Sequence, residues 1–287
     1  MAKGAAMMRS EKEMMDLIMN FAKNDDRIRV VVMEGSKLNK NAPIDKFQDF
    51  DITFIVNDMD KYLKSDDWLD AFGKRIIMQK PEGMSLFPPS PENWFSYLLV
   101  FEDGNKMDLS LWPVNDIERY FKIADSLTKV LLDKDGICPL INEPSDFDYH
   151  VKKPSCEFVD DCCNEFWMLA MYVTKGLCRN ELLFAIKHLN LMKEQMLTMI
   201  SWKAGIETSF SLSVGKACKY LDKYVSAETW QLLMKSYKND TTDDLWNSLA
   251  ICCDLFIETT AFVAGALNYE CPKYDQKVME YIRQYIP

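Results

Sequence analysis

Arg27-Ile28-Arg29-Val30-Val31-Val32-Met33-Glu34-Gly35-Ser36 and Asp49-Phe50-Asp51-Ile52-Thr53-Phe54-Ile55-Val56 are the two stretches that decide the fold. The first is a β-branched run that stops at Gly-Ser, the pattern of a buried strand ending in a turn. The second is an apolar strand, 50–56, whose entrance carries two carboxylates. Residues two apart in a strand project to one face with roughly 6.5–7 Å between their Cα atoms, so Asp49 and Asp51 face the same way.

Working outward, Trp94–Phe101 and Lys106–Leu111 read as two further strands, joined as a hairpin by Glu102-Asp103-Gly104-Asn105. Asp108 lies inside the second of them between apolar neighbours, where an ionised side chain needs a partner. Asp-x-Asp occurs at 49/51, 58/60, 133/135 and 146/148, so the dipeptide pattern alone carries little information. Only 49/51 opens directly into an apolar strand and follows a strand that ends in Gly-Ser. Asp49, Asp51 and Asp108 together offer the hard oxygen ligands that Mg²⁺ takes alongside substrate phosphate. Gly35 permits a sharp turn and close approach of a ligand, while Ser36 offers a hydroxyl and an N–H to phosphate oxygens.

The remaining texture places these strands in a larger plan. Ser10-Glu11-Lys12-Glu13 is a capping-box pattern, and Met14, Leu17, Ile18 and Phe21 continue it at helical spacing, predicting a helix over 10–23. A short helix is expected over 66–72 ending near Gly73, then an extended stretch Arg75–Gln79, then Pro81–Pro91, whose four prolines exclude regular structure. Beyond Pro154 the pattern turns to long helices, at about 157–175, 179–201, 213–236 with a break near Val225-Ser226, and 243–267. A mixed sheet with helices followed by a helical bundle is an α+β arrangement, with domains 1–145 and 146–287.

Composition narrows the function. The chain has 287 residues, 48% of them apolar, with 10 Gly and 11 Pro, which fits two globular units and excludes a fibrous or disordered chain. No uninterrupted apolar run long enough to span a bilayer is read, so no membrane partner is expected. Met1–Ala6 lacks a long apolar signal segment and reads as a leader or as sequence upstream of an alternative start at Met7-Met8. Nine cysteines without any C-x-x-C spacing indicate neither a zinc ribbon nor a disulfide framework, and suit a reducing cytoplasm with the thiols buried as small hydrophobes. A net charge of −10 disfavours a nucleic-acid surface and suits a cationic small substrate. His150 and His188 are isolated, and Trp167 and Trp202 are expected in the core.

The ordered set of strand, Gly-Ser, strand-borne Asp-x-Asp and a third strand-borne Asp resembles the nucleotidyltransferase superfamily that includes DNA polymerase beta. A closer likeness lies in Met8–Asp16, Glu34-Gly35-Ser36, Phe47–Ile52, Met78–Glu82, Asp161–Trp167, Lys175–Arg179 and Met199–Lys203. These stretches look like the aminoglycoside 6-adenylyltransferases, the streptomycin-modifying enzymes, and the similarity covers nearly the whole chain from Met8. The resemblance implies an N-terminal nucleotidyltransferase domain and a C-terminal helical domain, with ATP and the aminoglycoside meeting in the cleft. It carries over Ser36, Asp49, Asp51 and Asp108. Lys37 stands where Arg is expected after Gly-Ser, and would meet phosphate as a point charge rather than as a fork.

In that reading a substrate hydroxyl attacks the α-phosphate of Mg-ATP, AMP is transferred and pyrophosphate leaves. Asp108 is the first candidate for the base, with Asp161 and Glu165 as alternatives. Lys175 and Arg179, four apart on one helix, are candidates for the triphosphate, set against an ordinary role as solvated helix charges. Asp160, Asp161 and Glu165 are candidates for the cationic groups of the acceptor, although acids in a first helical turn are favoured by the dipole in any case. Other acceptors, such as a different aminoglycoside, a lincosamide or a protein hydroxyl, keep the same chemistry. A module that binds nucleotide without catalysis is the rival from another class, and the intact acid triplet argues against it.

Overall fold

The computed structural model describes residues 7–87, 93–270 and 272–286. The Met1–Ala6 segment and part of the Pro81–Pro91 stretch lie outside the described residues. The chain packs as two units, Met1–Asp148 and Tyr149–Pro287.

The first unit is built on six strands: β1 (Ile28–Glu34), β2 (Phe50–Val56), β3 (Arg75–Gln79), β4 (Phe95–Phe101), β5 (Lys106–Pro113) and β6 (Thr128–Asp133). Their order is β3-β4-β5-β2-β1-β6. β2 and β5 run parallel, and every other neighbouring pair is antiparallel. The sheet is mixed, as the sequence indicates, and its parallel pair is central.

Helix α1 (Glu11–Asn24) starts with the anticipated capping box: Ser10 and Glu13 satisfy each other's backbone N–H groups. Met14, Ile18 and Ala22, four apart, are fully buried and lay one face of α1 on the sheet. Burial of a side chain the size of Met14 or Ile18 contributes roughly 1.5–3 kcal/mol. The sheet face beneath them carries Val31, Met33, Phe50, Ile52, Phe54, Met107, Leu109 and Leu111, the alternate residues of β1, β2 and β5. The opposite face is divided. One half, Val30, Val32, Ile55 and Trp112, packs with Tyr120 of α3 (Ile117–Ile123). The other half is polar.

Burial on both faces explains why β1 reads as an unbroken apolar run. The sequence reading had no element at β6, at α3 or at the short helix α2 (Met59–Leu63). The segment expected as a helix over 66–72 is a 3₁₀ turn, Asp67–Phe72, closed by Gly73 at φ +115°.

The second unit contains α4 (Cys156–Cys178), α5 (Leu182–Glu207), α6 (Ala227–Lys235), α7 (Thr242–Leu267) and α8 (Asp275–Arg283). The rings of Phe166 on α4 and Phe256 on α7 stack at 3.6 Å and 4°. Trp167, Trp202, Cys162, Cys163, Cys252 and Cys253 are buried in the same core. By length and composition α7 would suffice to cross a membrane, but Leu245, Leu249, Cys252, Phe256 and Val263 are buried against the other helices. The helix expected from 213 is not formed. Gly215, Ala217 and Cys218 adopt positive φ, which L-residues take singly and not in helices, and regular helix begins only at Ala227 behind the Ser226 cap.

Candidate active site

The parallel β2–β5 pair sets Asp51 directly beside Asp108 and Phe50 beside Met107. Strand alternation then assigns Phe50, Ile52, Met107 and Leu109 to the apolar core and turns Asp51 and Asp108 to the polar half of the other face. One step back on that same face come Asp49, just ahead of β2, and Lys106, the first residue of β5. On the far side of β2, Glu34 pairs in register with Asp51. Two strand starts and one strand end therefore bring four acids and one lysine to one corner of the sheet.

Lys106 is the centre of this corner. Its Nζ donates to Asp49 Oδ2 at 2.5 Å and to Asp108 Oδ2 at 2.9 Å. Burial would lower the lysine's pKa, but the hydrogen bonds to Asp49 and Asp108 raise it. The second oxygen of Asp108, Oδ1, is buried and has no hydrogen-bond partner. Asp51 is pushed up to about 6, first by burial and then by the neighbouring charges of Asp108 and Asp49. Glu34 is raised by burial, while Thr53 Oγ1 donates to its Oε2 at 2.8 Å.

The Gly-Ser turn is fitted against these acids. Gly35 has φ +76°, and a Cβ there would run into the carboxylate of Asp51. Its N–H is already committed to the Leu127 carbonyl at 3.0 Å. Ser36 is held through its carbonyl, which accepts from Gln48 Nε2 at 3.2 Å. Lys37 does not extend over the acids. Its side chain is 5% exposed, 3.3 Å from Glu11 on α1, with its ammonium 4.3 Å from the centre of the Phe50 ring. Phe50 belongs to the apolar face, so Lys37 anchors the turn from the opposite side of the sheet.

Three carboxylates confront a single ammonium, one of the three is held above its ordinary pKa by burial and then by the other two, and one buried oxygen is orphaned. A hard divalent cation with oxygen ligands answers all three conditions, so the residues fit Mg²⁺. Among the described residues no three His, Cys, Asp or Glu side chains converge tightly enough to hold a metal as they stand, and Lys106 bridges two of the three acids instead.

The other sequence candidates belong to the second unit. Asp160, Asp161, Glu165 and Lys175 lie on exposed positions of α4, and Arg179, also exposed, is its C-cap residue just beyond the helix. Asp160 accepts from the Tyr274 hydroxyl at 3.2 Å, and Arg179 pairs with Glu181 at 2.7 Å. Asp161, Glu165, Met168, Tyr172, Lys175 and Arg179 recur at intervals of three and four residues and form one exposed stripe, acidic at its start, apolar in the middle and basic at its end. Sequence reading did not single out Lys106, Glu34, Thr53 or Gln48. Lys106 and Asp108 share a strand face by simple alternation, a signal that was present, whereas the pairing with Asp49 depends on the β2–β5 register.

Comparison with known proteins gives a consistent result. Residues 8–285 match the family model described as streptomycin adenylyltransferase. The chain is similar to an aminoglycoside 6-adenylyltransferase of Bacillus subtilis, 48% identical over 275 residues, covering 96% of this chain and 97% of that protein. It is also similar to one of Campylobacter jejuni, 50% identical over 276 residues, covering 96% and 95%. Among solved structures it is similar to an aminoglycoside 6-adenyltransferase from Bacillus subtilis, with 43% identity, 97% and 99% coverage and a TM-score of 0.48.

Proposed function

The chain belongs to the streptomycin adenylyltransferase family of nucleotidyltransferase enzymes, and from that membership we propose that it transfers AMP from ATP to an aminoglycoside hydroxyl. The preferred acceptor is the 6-hydroxyl of streptomycin, and pyrophosphate is the other product. The observation that carries this reading is the direct register of Asp51 with Asp108, beside a glycine turn that only a residue without Cβ can make.

Asp49, Asp51 and Asp108 would hold Mg²⁺, which when bound neutralises charge on the triphosphate and polarises the α-phosphate. The protein's own residues do the rest. Gly35 lets the backbone approach the phosphates, and Ser36, fixed by Gln48, presents its hydroxyl and N–H to them. Lys37 contributes by fastening this turn to Glu11 and Phe50. The acceptor oxygen forms its bond to the α-phosphorus as the bond from that phosphorus to the oxygen bridging to the β-phosphate breaks, and the electron pair leaves on pyrophosphate. The hydroxyl proton passes to a carboxylate beside the metal, with Asp108 the first candidate because it shares the face of Asp49 and Asp51.

On α4, the acidic end of the exposed stripe, Asp161 and Glu165 with Asp160 beside them, suits guanidinium and ammonium groups of the acceptor. The basic end, Lys175 and Arg179, suits phosphate. The eight free cysteines among the described residues suit the reducing cytoplasm, where ATP is available. The test is pyrophosphate release from Mg-ATP across a panel of aminoglycosides. Release that requires streptomycin is expected, and no acceptor-dependent release with any aminoglycoside would remove this reading.

A further inference from the structure

Lys106 is placed as a cation inside an acid cluster. Its ammonium reaches two of the three carboxylates on the shared face, Asp49 at 2.5 Å and Asp108 at 2.9 Å. It is carried by the same β5 strand as Asp108 and paired there with Val100 of β4, so its backbone is fixed by register. Asp51, the third acid, receives no hydrogen bond from it.

We propose that Lys106 is a resident counter-ion: it bridges Asp49 and Asp108 and offsets their mutual repulsion in the metal-free protein, and a divalent cation must displace it to engage both acids. This rests on the reading above that the three carboxylates take a divalent ion. Two like charges so close in a partly desolvated corner repel unless a cation lies between them. Lys106 supplies that cation at no cost in diffusion, and competes with any other that enters. It is a positioning residue acting through Asp49 and Asp108. The consequence is a site kept assembled without metal and tuned to bind metal less tightly than its acid count would otherwise dictate, so that the ion arrives most effectively together with the negative charge of the nucleotide triphosphate.

The experiment measures Mn²⁺ binding to the full chain without nucleotide, by electron paramagnetic resonance, together with the melting temperature in chelator. Lys106→Met, which keeps the length and removes the charge, is expected to bind Mn²⁺ about tenfold more tightly than the wild type, the direction that loss of a competing positive charge imposes. Its melting temperature in chelator falls by several degrees, and Mn²⁺ restores it. Lys106→Arg, which keeps the charge, binds Mn²⁺ within about twofold of wild type. Lys106→Gln serves in place of the methionine variant should that one not fold. Mn²⁺ affinity unchanged or weakened in the uncharged variant would overturn the proposal. Mn²⁺ bound as tightly by Asp51→Asn as by wild type would instead refute the carboxylate metal site on which it rests, so the two failures are told apart.

Discussion

At the scale of single residues, the tightest constraint is between Gly35 and Asp51. Gly35 occupies φ +76°, and the space a Cβ would need is filled by the Asp51 carboxylate. Gly35→Ala must therefore strain the backbone and displace Asp51, an acid proposed to hold the metal. Expected outcomes are a loss of about 1–3 kcal/mol of stability in urea unfolding and a fall in kcat of about 100-fold or more, because a displacement of about 1 Å at a reacting centre has that effect. Near-normal kcat in a folded variant would dissociate the turn from the site. The three acids and the Gly-Ser turn were legible in the sequence because each sits on, or at the end of, a strand with a clear apolar pattern. Lys106 was not, since its partner Asp49 is 57 residues away and only the parallel pairing of β2 with β5 joins them. The location of the Lys37 ammonium, beside Glu11 and the Phe50 ring, was not legible for a similar reason: both partners are distant in sequence from the turn.

At the scale of elements, Asp25 shows how the scaffold behind the site is tied. It occupies the C-cap position of α1, accepts from Arg27 at the entrance to β1 and accepts from the Tyr62 hydroxyl of α2 at 2.7 Å. Burial alone would raise its pKa, but the hydrogen bonds from Arg27 and Tyr62 bring it down to about 2. A depressed carboxylate stabilises the fold above its unfolded pKa, and that contribution is lost as pH falls from about 4 through about 2. Asp25→Asn should thus cost about 1–2 kcal/mol at neutral pH, allowing for solvent screening, and the difference from wild type should vanish in strong acid. A pH-independent difference in urea unfolding would show that the cost is packing and not charge.

Elements with long regular patterns, α1, β2, α4 and α7, were readable from spacing alone. The error at 213–225 has a local origin: Ala217 and Cys218 hold left-handed backbone in a stretch whose apolar spacing imitates a helix. β6 was overlooked because its apolar run, Val130-Leu131-Leu132, is short and lies beside the charged Lys129, Asp133 and Lys134. Only pairing with β1 makes it a strand.

At the scale of the whole molecule, a net charge of −10 attracts a polycationic acceptor, and such steering weakens as salt screens it. kcat/KM for streptomycin should fall several-fold between about 0.02 M and about 0.3 M salt, whereas kcat at saturation should change little. A salt-independent kcat/KM would assign recognition to short-range contacts alone. The residues proposed for the two kinds of chemistry differ in their setting: the acids proposed for the metal stand on or beside strands of the sheet unit, while those proposed for acceptor and phosphate lie on the exposed charged stripe along α4 and its C-cap in the helical unit.

The most direct test incubates the protein with Mg-ATP and streptomycin, follows the drug by mass spectrometry, and repeats the reaction with Asp51→Asn. The account predicts that wild type converts streptomycin to a product heavier by one AMP, esterified at the 6-hydroxyl, with one pyrophosphate per product. It also predicts that the folded Asp51→Asn protein forms none, since a neutral amide is a poor ligand for Mg²⁺. Unmodified streptomycin with wild type, or undiminished product with Asp51→Asn, would contradict it.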